Sequence, residues 1–210
     1  KTIATLEKML NDFSPQALNT WNFILSNGNE AAKLDDPDYD IRKHLFGNLG
    51  DDLITYEKAP RADANVAGAP SLYLIGSPDA EKLASALKGL LVILSPEGRT
   101  PESREFLGKK ILSVKLSALP IGAGAGPRTL SYVAGGGYVA LSTDAAVLEE
   151  YLRSAETPPK PLRDAPGLAE AAQKVGGQNT GWFGYENQSE TARQLFAALK
   201  LSAGETNRAP

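Results

Sequence analysis

One run of residue types occurs twice in the chain, and it constrains the fold more than any other feature. Residues 73–87 and 138–152 share the pattern Tyr-x3-Ser-x-Asp-Ala-x2-Leu-x3-Leu, position for position. The tyrosine lies in a strand-like stretch, serine suits a helix cap, and aspartate in the first turn meets the positive end of the helix dipole. The two leucines, four residues apart, share one helix face. The pattern therefore predicts a strand followed by a capped helix.

A weaker third copy runs from residue 185 to residue 199, where Thr191 replaces the aspartate. We interpret the copies as a duplicated strand–helix unit within one sheet. The alternative is convergence, since any corner between a strand and a helix favours these residue types. Either origin gives every matched residue a structural role, so the repeat informs the architecture and not the chemistry.

Glycines at 135–137 precede the second copy and separate two strand-like stretches. Glycine readily adopts the positive φ angles that a tight hairpin needs, so we predict a β-turn here. The glycines Gly122, Gly124 and Gly126 resemble a phosphate-binding loop at first sight. A P-loop requires Gly-Lys-Ser/Thr leading into a helix, whereas Pro127 and Arg128 follow here, so a connecting loop is the favoured interpretation.

From these patterns we predict an α+β fold with a largely antiparallel sheet and helices on one face. Segment 1–49 is predicted to be helical and packed on the main domain, with a helix start at Ser14-Pro15, a stop at 27–29 and a short helix over 38–46. Segment 50–157 forms the core, and segment 158–210 holds a proline-rich connector, a strand and a final helix, all in one globular unit. Strands are predicted at 52–58, 71–76, 110–116, 129–134, 137–142 and 180–186, helices at 78–91, 144–154 and 189–201, and a loop at 95–105.

Composition excludes several classes of function. A net charge of −3 gives no general attraction to phosphate backbones, so nucleic acid is not an expected partner. The absence of cysteine removes disulfides and thiolate chemistry. No apolar run reaches the roughly 20 residues of a membrane helix, so we expect no membrane span. The chain begins at Lys1 without an initiator methionine, and we expect a processed protein or an excised piece.

Acidic residues at 36, 38 and 40 have the opening spacing of a calcium loop, but the match then fails. Ile41 stands where the loop needs glycine, and Gly47 stands where it needs a bidentate glutamate. His44 is the single histidine, and no Gly-x-Ser-x-Gly pattern accompanies it, so we expect a surface or capping histidine. We predict no metal site, cofactor or catalytic residue.

Two further groups of residues have structural interpretations. Glu149 and Glu150 are adjacent on a helix and point about 100° apart, so they form no acid/base pair, and Arg153 is the expected partner of Glu149. The aromatic residues Trp182, Phe183 and Tyr185 could line a groove for a glycan or a peptide, although core packing is favoured. The sequon at Asn187-Gln188-Ser189 is a common pattern that carries little weight.

Three stretches, at 46–56, 71–87 and 138–152, resemble a family of bacterial envelope proteins that carry a domain of unknown function. The resemblance covers roughly residues 45–155 and includes the segment Leu49-Gly50-Asp51-Asp52. It implies an extracytoplasmic location, in the periplasm or cell envelope, and often a longer parent chain. It supplies no catalytic residues.

The first expectation for function is a non-enzymatic structural or protein-interaction module of a bacterial envelope protein, such as a subunit of a larger assembly. Its protein partner is not identified by the residues. The second is a peptide- or glycan-binding module that uses exposed aromatic residues such as Trp182 and Tyr132. The third is a hydrolase, whose histidine-dependent forms would require His44.

Overall fold

The computed structural model describes residues 2–34, 37–58, 70–94, 101–116, 128–157, 160–176, 181, 183–193 and 196. The chain forms two compact units. The first comprises Lys1–Tyr56 and Ser71–Leu152, and the second comprises Glu57–Pro70 and Arg153–Pro210. The first unit holds the N-terminal helices together with the sheet.

The helices and strands alternate in short segments along the chain. The helices are α1 (Thr2–Phe13), α2 (Pro15–Lys33), α3 (Ile41–His44), α4 (Ala80–Leu94), α5 (Ala145–Glu156) and α6 (Leu168–Lys174), with 3-10 turns at Phe46–Asn48 and Leu162–Asp164. The strands are β1 (Leu53–Glu57), β2 (Ser71–Gly76), β3 (Glu102–Phe106), β4 (Lys109–Leu116), β5 (Arg128–Gly135) and β6 (Tyr138–Ser142). Residues 188–193 are also helical.

The described strands form one sheet in the order β1-β2-β6-β5-β4-β3. The four pairs β2–β6, β6–β5, β5–β4 and β4–β3 are all antiparallel. Tyr73 lies opposite Leu141, and Leu112 lies opposite Tyr132. The predicted α+β class, antiparallel sheet and helical N-terminal segment are thus confirmed. The hairpin at the triple glycine is also confirmed, because Gly136 and Gly137 form its two-residue turn with φ of 60° and 83°.

Helices cover both faces of the sheet, so the expectation of helices on one face is wrong. On β5, Tyr132 and Ala134 pack in a cluster with Leu83 of α4, whereas Val133 packs in another with Leu148 of α5. Successive strand residues point to opposite faces, so α4 and α5 lie on opposite sides.

The register of β2 against β6 explains why α4 and α5 lie on opposite faces of the sheet. Tyr73 lies opposite Leu141, so these two residues share a face. Tyr138 is three positions from Leu141 and therefore points to the other face. Each helix lies on the face of the tyrosine that opens its own strand–helix segment. Two segments of the same pattern can thus place their helices on opposite sides of one sheet.

The N-terminal segment forms two long helices. Ser14 caps α2 by accepting a hydrogen bond from the Ala17 N–H at 3.4 Å, as predicted, and Pro15 follows in the first turn. The predicted stop at 27–29 is wrong, because α2 continues to Lys33. Gly28 is buried inside the helix, and Asn29 accepts a hydrogen bond from the Ile41 N–H at 2.9 Å. Tertiary contacts therefore override the local stop signal.

Two strand predictions were also wrong. The segment predicted as a loop at 95–105 contains the edge strand β3, which pairs with β4 through a two-residue turn at Leu107 and Gly108. In the strand predicted at 180–186, residues 183–187 are irregular, and interior glycines at 181 and 184 weaken strand formation. The third copy of the repeat departs from the pattern as well, since Asn187 caps its helix and Ser189 lies inside it.

Candidate interaction surface

The edge strand β1 is attached to the sheet by close backbone contacts at its start. The Gly50 N–H donates to the Gly76 carbonyl at 2.6 Å, and the Gly76 N–H donates to the Asp52 carbonyl at 2.9 Å. A Cβ atom on Gly50 would come within 2.7 Å of the Gly76 carbonyl carbon. A side chain at position 50 would therefore force the two backbones apart.

A side-chain bond reinforces this attachment across three strands. The Tyr138 hydroxyl of β6 donates to Asp52 Oδ2 at 2.7 Å. A Cβ on Gly76, in the intervening strand β2, would collide with the Asp52 carboxylate. The bond to Asp52 raises the pKa of Tyr138, with smaller effects from burial and from the carboxylate charge. Position 76 therefore has to be glycine for this bond to form without displacing Asp52.

All five residues of β1 are exposed, although most of them are apolar or β-branched. Leu53 is 66% exposed, Ile54 44% and Tyr56 50%. Among the described strands, β1 has only β2 as a neighbour, because it lies at the end of the sheet. An exposed apolar edge strand offers unpaired N–H and C=O groups to another chain, and it is the described feature best suited to binding.

The hydrogen bonds at the two ends of β1 determine which of its backbone groups point toward β2 and which point away from it. The Asp52 carbonyl bonds to Gly76 of β2, and the Lys58 N–H, six residues further on, bonds at 2.9 Å to the carbonyl of Pro70, which directly precedes β2. Peptide groups alternate sides along an antiparallel strand. The N–H and C=O groups of Leu53, Thr55 and Glu57 therefore point away from β2, toward the free edge.

The Ser-x-Asp segments of the repeat have structural roles at both helix starts. Ser77 Oγ accepts from the Asp79 N–H at 3.1 Å and donates to the Asn48 carbonyl at 2.6 Å. Ser142 Oγ likewise accepts from the Asp144 N–H at 3.0 Å and donates to a backbone carbonyl, that of Ser71, at 2.7 Å.

The aspartates, and not the serines, cap these two helices. Asp79 Oδ1 accepts from the Lys82 N–H at 3.1 Å, and Asp144 Oδ1 accepts from the Ala146 N–H at 2.9 Å. Hydrogen bonding to Lys82 lowers the pKa of Asp79. The prediction of serine caps was therefore wrong by two residues. The serines instead tie each helix start to a neighbouring backbone segment.

His44 does not have the surroundings of a catalytic histidine. It lines an open cleft of about 510 Å³ with Glu81 and Ser85. In a Ser-His-Asp arrangement, Nδ1 of the histidine is bonded to a carboxylate. Here Nδ1 lies 2.9 Å from the backbone N of Asp40 and 3.1 Å from the Asp40 carbonyl oxygen, and the ring stacks on Tyr39. Among the described residues, Nδ1 of His44 is therefore bonded to backbone atoms of Asp40 and not to a carboxylate, although Glu81 lines the same cleft.

The acidic segment before α3 is used for helix capping. Asp40 Oδ1 accepts from the N–H groups of Arg42 and Lys43 at 2.9 and 3.1 Å. Asp36 lies outside the described residues. In the part of the chain that the structure describes, no group of three or more histidine, aspartate or glutamate side chains could hold a metal ion.

The aromatic residues considered for ligand binding differ from expectation. Tyr132 is fully buried, so it cannot stack on a bound ligand. Burial raises its pKa, and its hydroxyl has no hydrogen-bond partner among the described residues. Phe183 and Tyr185 are about half exposed, so the prediction that they pack in the core was wrong. Trp182 and the glycines at 122–126 lie outside the described residues.

Glu149 of α5 forms an ion pair with a residue of β3, the edge strand at the other end of the sheet from β1. Arg104 of β3 contacts it through Nη2 and Oε1 at 2.7 Å. This contact could not be expected from the sequence, because β3 had been predicted as a loop.

Comparisons with protein-family models, curated proteins and solved structures find no match for this chain. None of the described helices is long and apolar enough to cross a membrane.

Proposed function

We propose that this chain is a non-enzymatic structural and protein-interaction module, and that β1 is its contact surface. The observation that carries the proposal is the exposed apolar edge of β1, with Leu53, Ile54 and Tyr56 all at least 44% exposed. Main-chain groups of such an edge supply affinity when a further strand is added, and the side chains supply specificity.

The residues around β1 support this interpretation. Gly50, Gly76, Asp52 and Tyr138 all hold the strand at the edge of the sheet through the bonds described above. An edge strand held by two other segments, at Gly76 of β2 and Tyr138 of β6, is preorganised, which lowers the entropic cost of binding.

The proposed setting is the envelope of a bacterium, and this part of the proposal rests on the sequence resemblance. The segment Leu49–Asp52, which carries part of that resemblance, is the one that attaches β1 to β2. The proposal thus assigns a physical purpose to a motif that the resemblance itself leaves without one.

The proposal is tested with a proline at the centre of β1. Thr55→Pro removes an N–H that points to the free edge, so it should block strand addition while preserving the bonds to β2. Thr55→Val is the matched control, since it keeps the N–H and the strand propensity. The immobilised wild type and both variants are incubated with the envelope fraction of the source bacterium, and the bound proteins are identified.

We expect the wild type and Thr55→Val to retain the same proteins and Thr55→Pro to lose them. Circular dichroism and urea unfolding verify that the proline variant remains folded. Retention of the same proteins by a folded Thr55→Pro variant would show that β1 is not the contact surface.

A further inference from the structure

We infer that the strand added to β1 belongs to a second copy of this chain, paired antiparallel about a two-fold axis at Thr55. The inference rests on the proposed function, because it uses the same edge and names its partner. The two sheets would then join into one continuous sheet.

The residues of β1 that direct their backbone N–H and C=O groups outward are the ones that this pairing needs. The outward N–H and C=O groups belong to Leu53, Thr55 and Glu57. With Thr55 opposite itself, Leu53 lies opposite Glu57 of the second copy, and each opposed pair is a hydrogen-bonded pair. All the outward groups of the strand are then used, on both copies.

Side chains favour the same register. On one face, Ile54 lies opposite Tyr56 of the second copy, which is a favourable pair of β-branched and aromatic residues. Beside it, Lys58 lies opposite Asp52, whose carboxylate is bonded to Tyr138 across β2, so residues of opposite charge occupy both ends of the pairing. Each of these contacts occurs twice because the two-fold axis repeats it.

Pairings with the two-fold axis at a neighbouring residue place the side chains less favourably. Moving the axis to Ile54 places Asp51 opposite Glu57, which brings like charges together. Moving the axis to Tyr56 places Ile54 opposite Lys58 and leaves part of the strand unpaired. The register centred on Thr55 combines full strand overlap with charge complementarity.

The size of the contact predicts how stable the pair is. Specific, stable interfaces bury roughly 1,200–2,000 Å². A pair of five-residue strands is small beside this range, so we expect a reversible dimer that accumulates as concentration rises. Sedimentation velocity should show the sedimentation coefficient of the wild type increasing with concentration, and Thr55→Pro should shift the midpoint at least tenfold higher.

Cysteine cross-linking tests the register directly, because the natural chain contains no cysteine. Residues in a hydrogen-bonded antiparallel pair have Cα atoms about 5.5 Å apart, within the range that a disulfide spans. Thr55→Cys should therefore form a covalent dimer under mild oxidation. Leu53→Cys should not do so alone, because its two copies would be about 13 Å apart along the strands.

A mixture of Leu53→Cys and Glu57→Cys proteins should form the mixed covalent dimer. Equal cross-linking of Leu53→Cys alone and Thr55→Cys would overturn the register, since random collisions would then explain both. Absence of a Thr55→Cys dimer, with a wild type that remains monomeric at all concentrations, would overturn the self-pairing.

The two proposals fail in different ways. If Thr55→Pro loses envelope proteins while the wild type remains a monomer, the edge binds another protein and only the self-pairing is wrong. If the folded Thr55→Pro variant keeps both its captured proteins and its self-association, β1 is not the contact surface and both proposals fail.

Discussion

The two edge strands of the sheet have the same length but opposite surface chemistry. β1 presents leucine, isoleucine and tyrosine, whereas β3 contains Glu102, Arg104 and Glu105 among its five residues. Charged residues on an edge strand discourage pairing with other chains. The difference indicates that β3 is protected against strand addition and that β1 is open to it.

The charges of β3 also hold that strand in place. Arg104 contacts Glu149 of α5 at 2.7 Å, and Glu102 lies 3.7 Å from Lys115 of β4. β1 is held instead by close backbone contacts at Gly50 and by the bond from Tyr138 to Asp52. Within the described part of the chain, this attachment leaves the outer edge of β1 without a neighbouring strand. The difference between the two edge strands can be tested by mutating each point of attachment.

The largest effect is expected from Gly50→Ala. The added Cβ would meet backbone atoms of Gly76 at 2.7 and 2.8 Å, so the start of β1 has to move. We expect a loss of about 2–3 kcal/mol in the free energy of unfolding, measured by urea titration. The matched variant in the β3 hairpin is Gly108→Ala, where the Cβ has open space but φ is +69°. That variant should lose only about 1 kcal/mol, and equal losses would contradict the role of Gly50.

The next effect is expected from Tyr138→Phe, which removes the bond to Asp52. We expect a loss of about 1 kcal/mol at neutral pH. Because the folded state raises the pKa of Tyr138, the stabilisation is complete below the unfolded pKa near 10 and is lost as pH rises through the higher folded pKa. The wild type should therefore lose its advantage over Tyr138→Phe in strongly alkaline urea titrations.

Tyr73→Phe is the control for this change, because Tyr73 opens the other copy of the repeat and is exposed. Its stability should remain within about 0.5 kcal/mol of the wild type. A Tyr138→Phe variant that behaves like this control would show that the bond to Asp52 does not hold β1.

A smaller effect is expected at the attachment of β3. The side chains of Arg104 and Glu149 are partly exposed, so solvent screens their attraction. A double-mutant cycle with Arg104→Ala and Glu149→Ala should give a coupling of about 0.2–1 kcal/mol. A coupling well above this range would mean that both edges are held with similar strength.

The smallest effect on stability is expected from Ile54→Lys, which gives β1 a charge of the kind found on β3. The side chain is exposed, so the free energy of unfolding should change by no more than about 0.5 kcal/mol. Self-association, measured by sedimentation velocity, should nevertheless be lost. Ser103→Lys on β3 is the matched variant and should leave association unchanged, whereas the same loss in both would remove the distinction between the edges.

Local patterns predicted a large part of the sheet. β2 was predicted with its observed bounds, and β4, β5 and β6 were predicted within one residue at each end. These strands combine alternating residues with a strong turn signal at Gly136 and Gly137. β3 was missed because its pattern of charges is also that of a solvated loop. An edge strand gains its hydrogen bonds from a neighbour and so needs little burial of its own.

The candidate surface could be predicted only in part. The strand-like character of 52–58 follows from its alternating residues, but its exposure depends on its position at the end of the sheet. Tyr132 was considered for ligand contact, yet its central strand lies beneath α4 and buries it. For Glu149 the sequence predicted a partner on its own helix, and it could not predict the contact with Arg104, which comes from another element.

The sequence by itself determined the α+β class, the hairpin at Gly136 and Gly137, and the two strand–helix segments, because these depend on the conformational preferences of neighbouring residues. Only the tertiary structure decided that α4 and α5 lie on opposite faces and that the apolar strand β1 lies at an edge. Both depend on strand register and order, which arise from contacts between residues far apart in the chain. A one-residue difference in register changes the face on which a side chain lies, and neither copy of the repeat encodes its register alone.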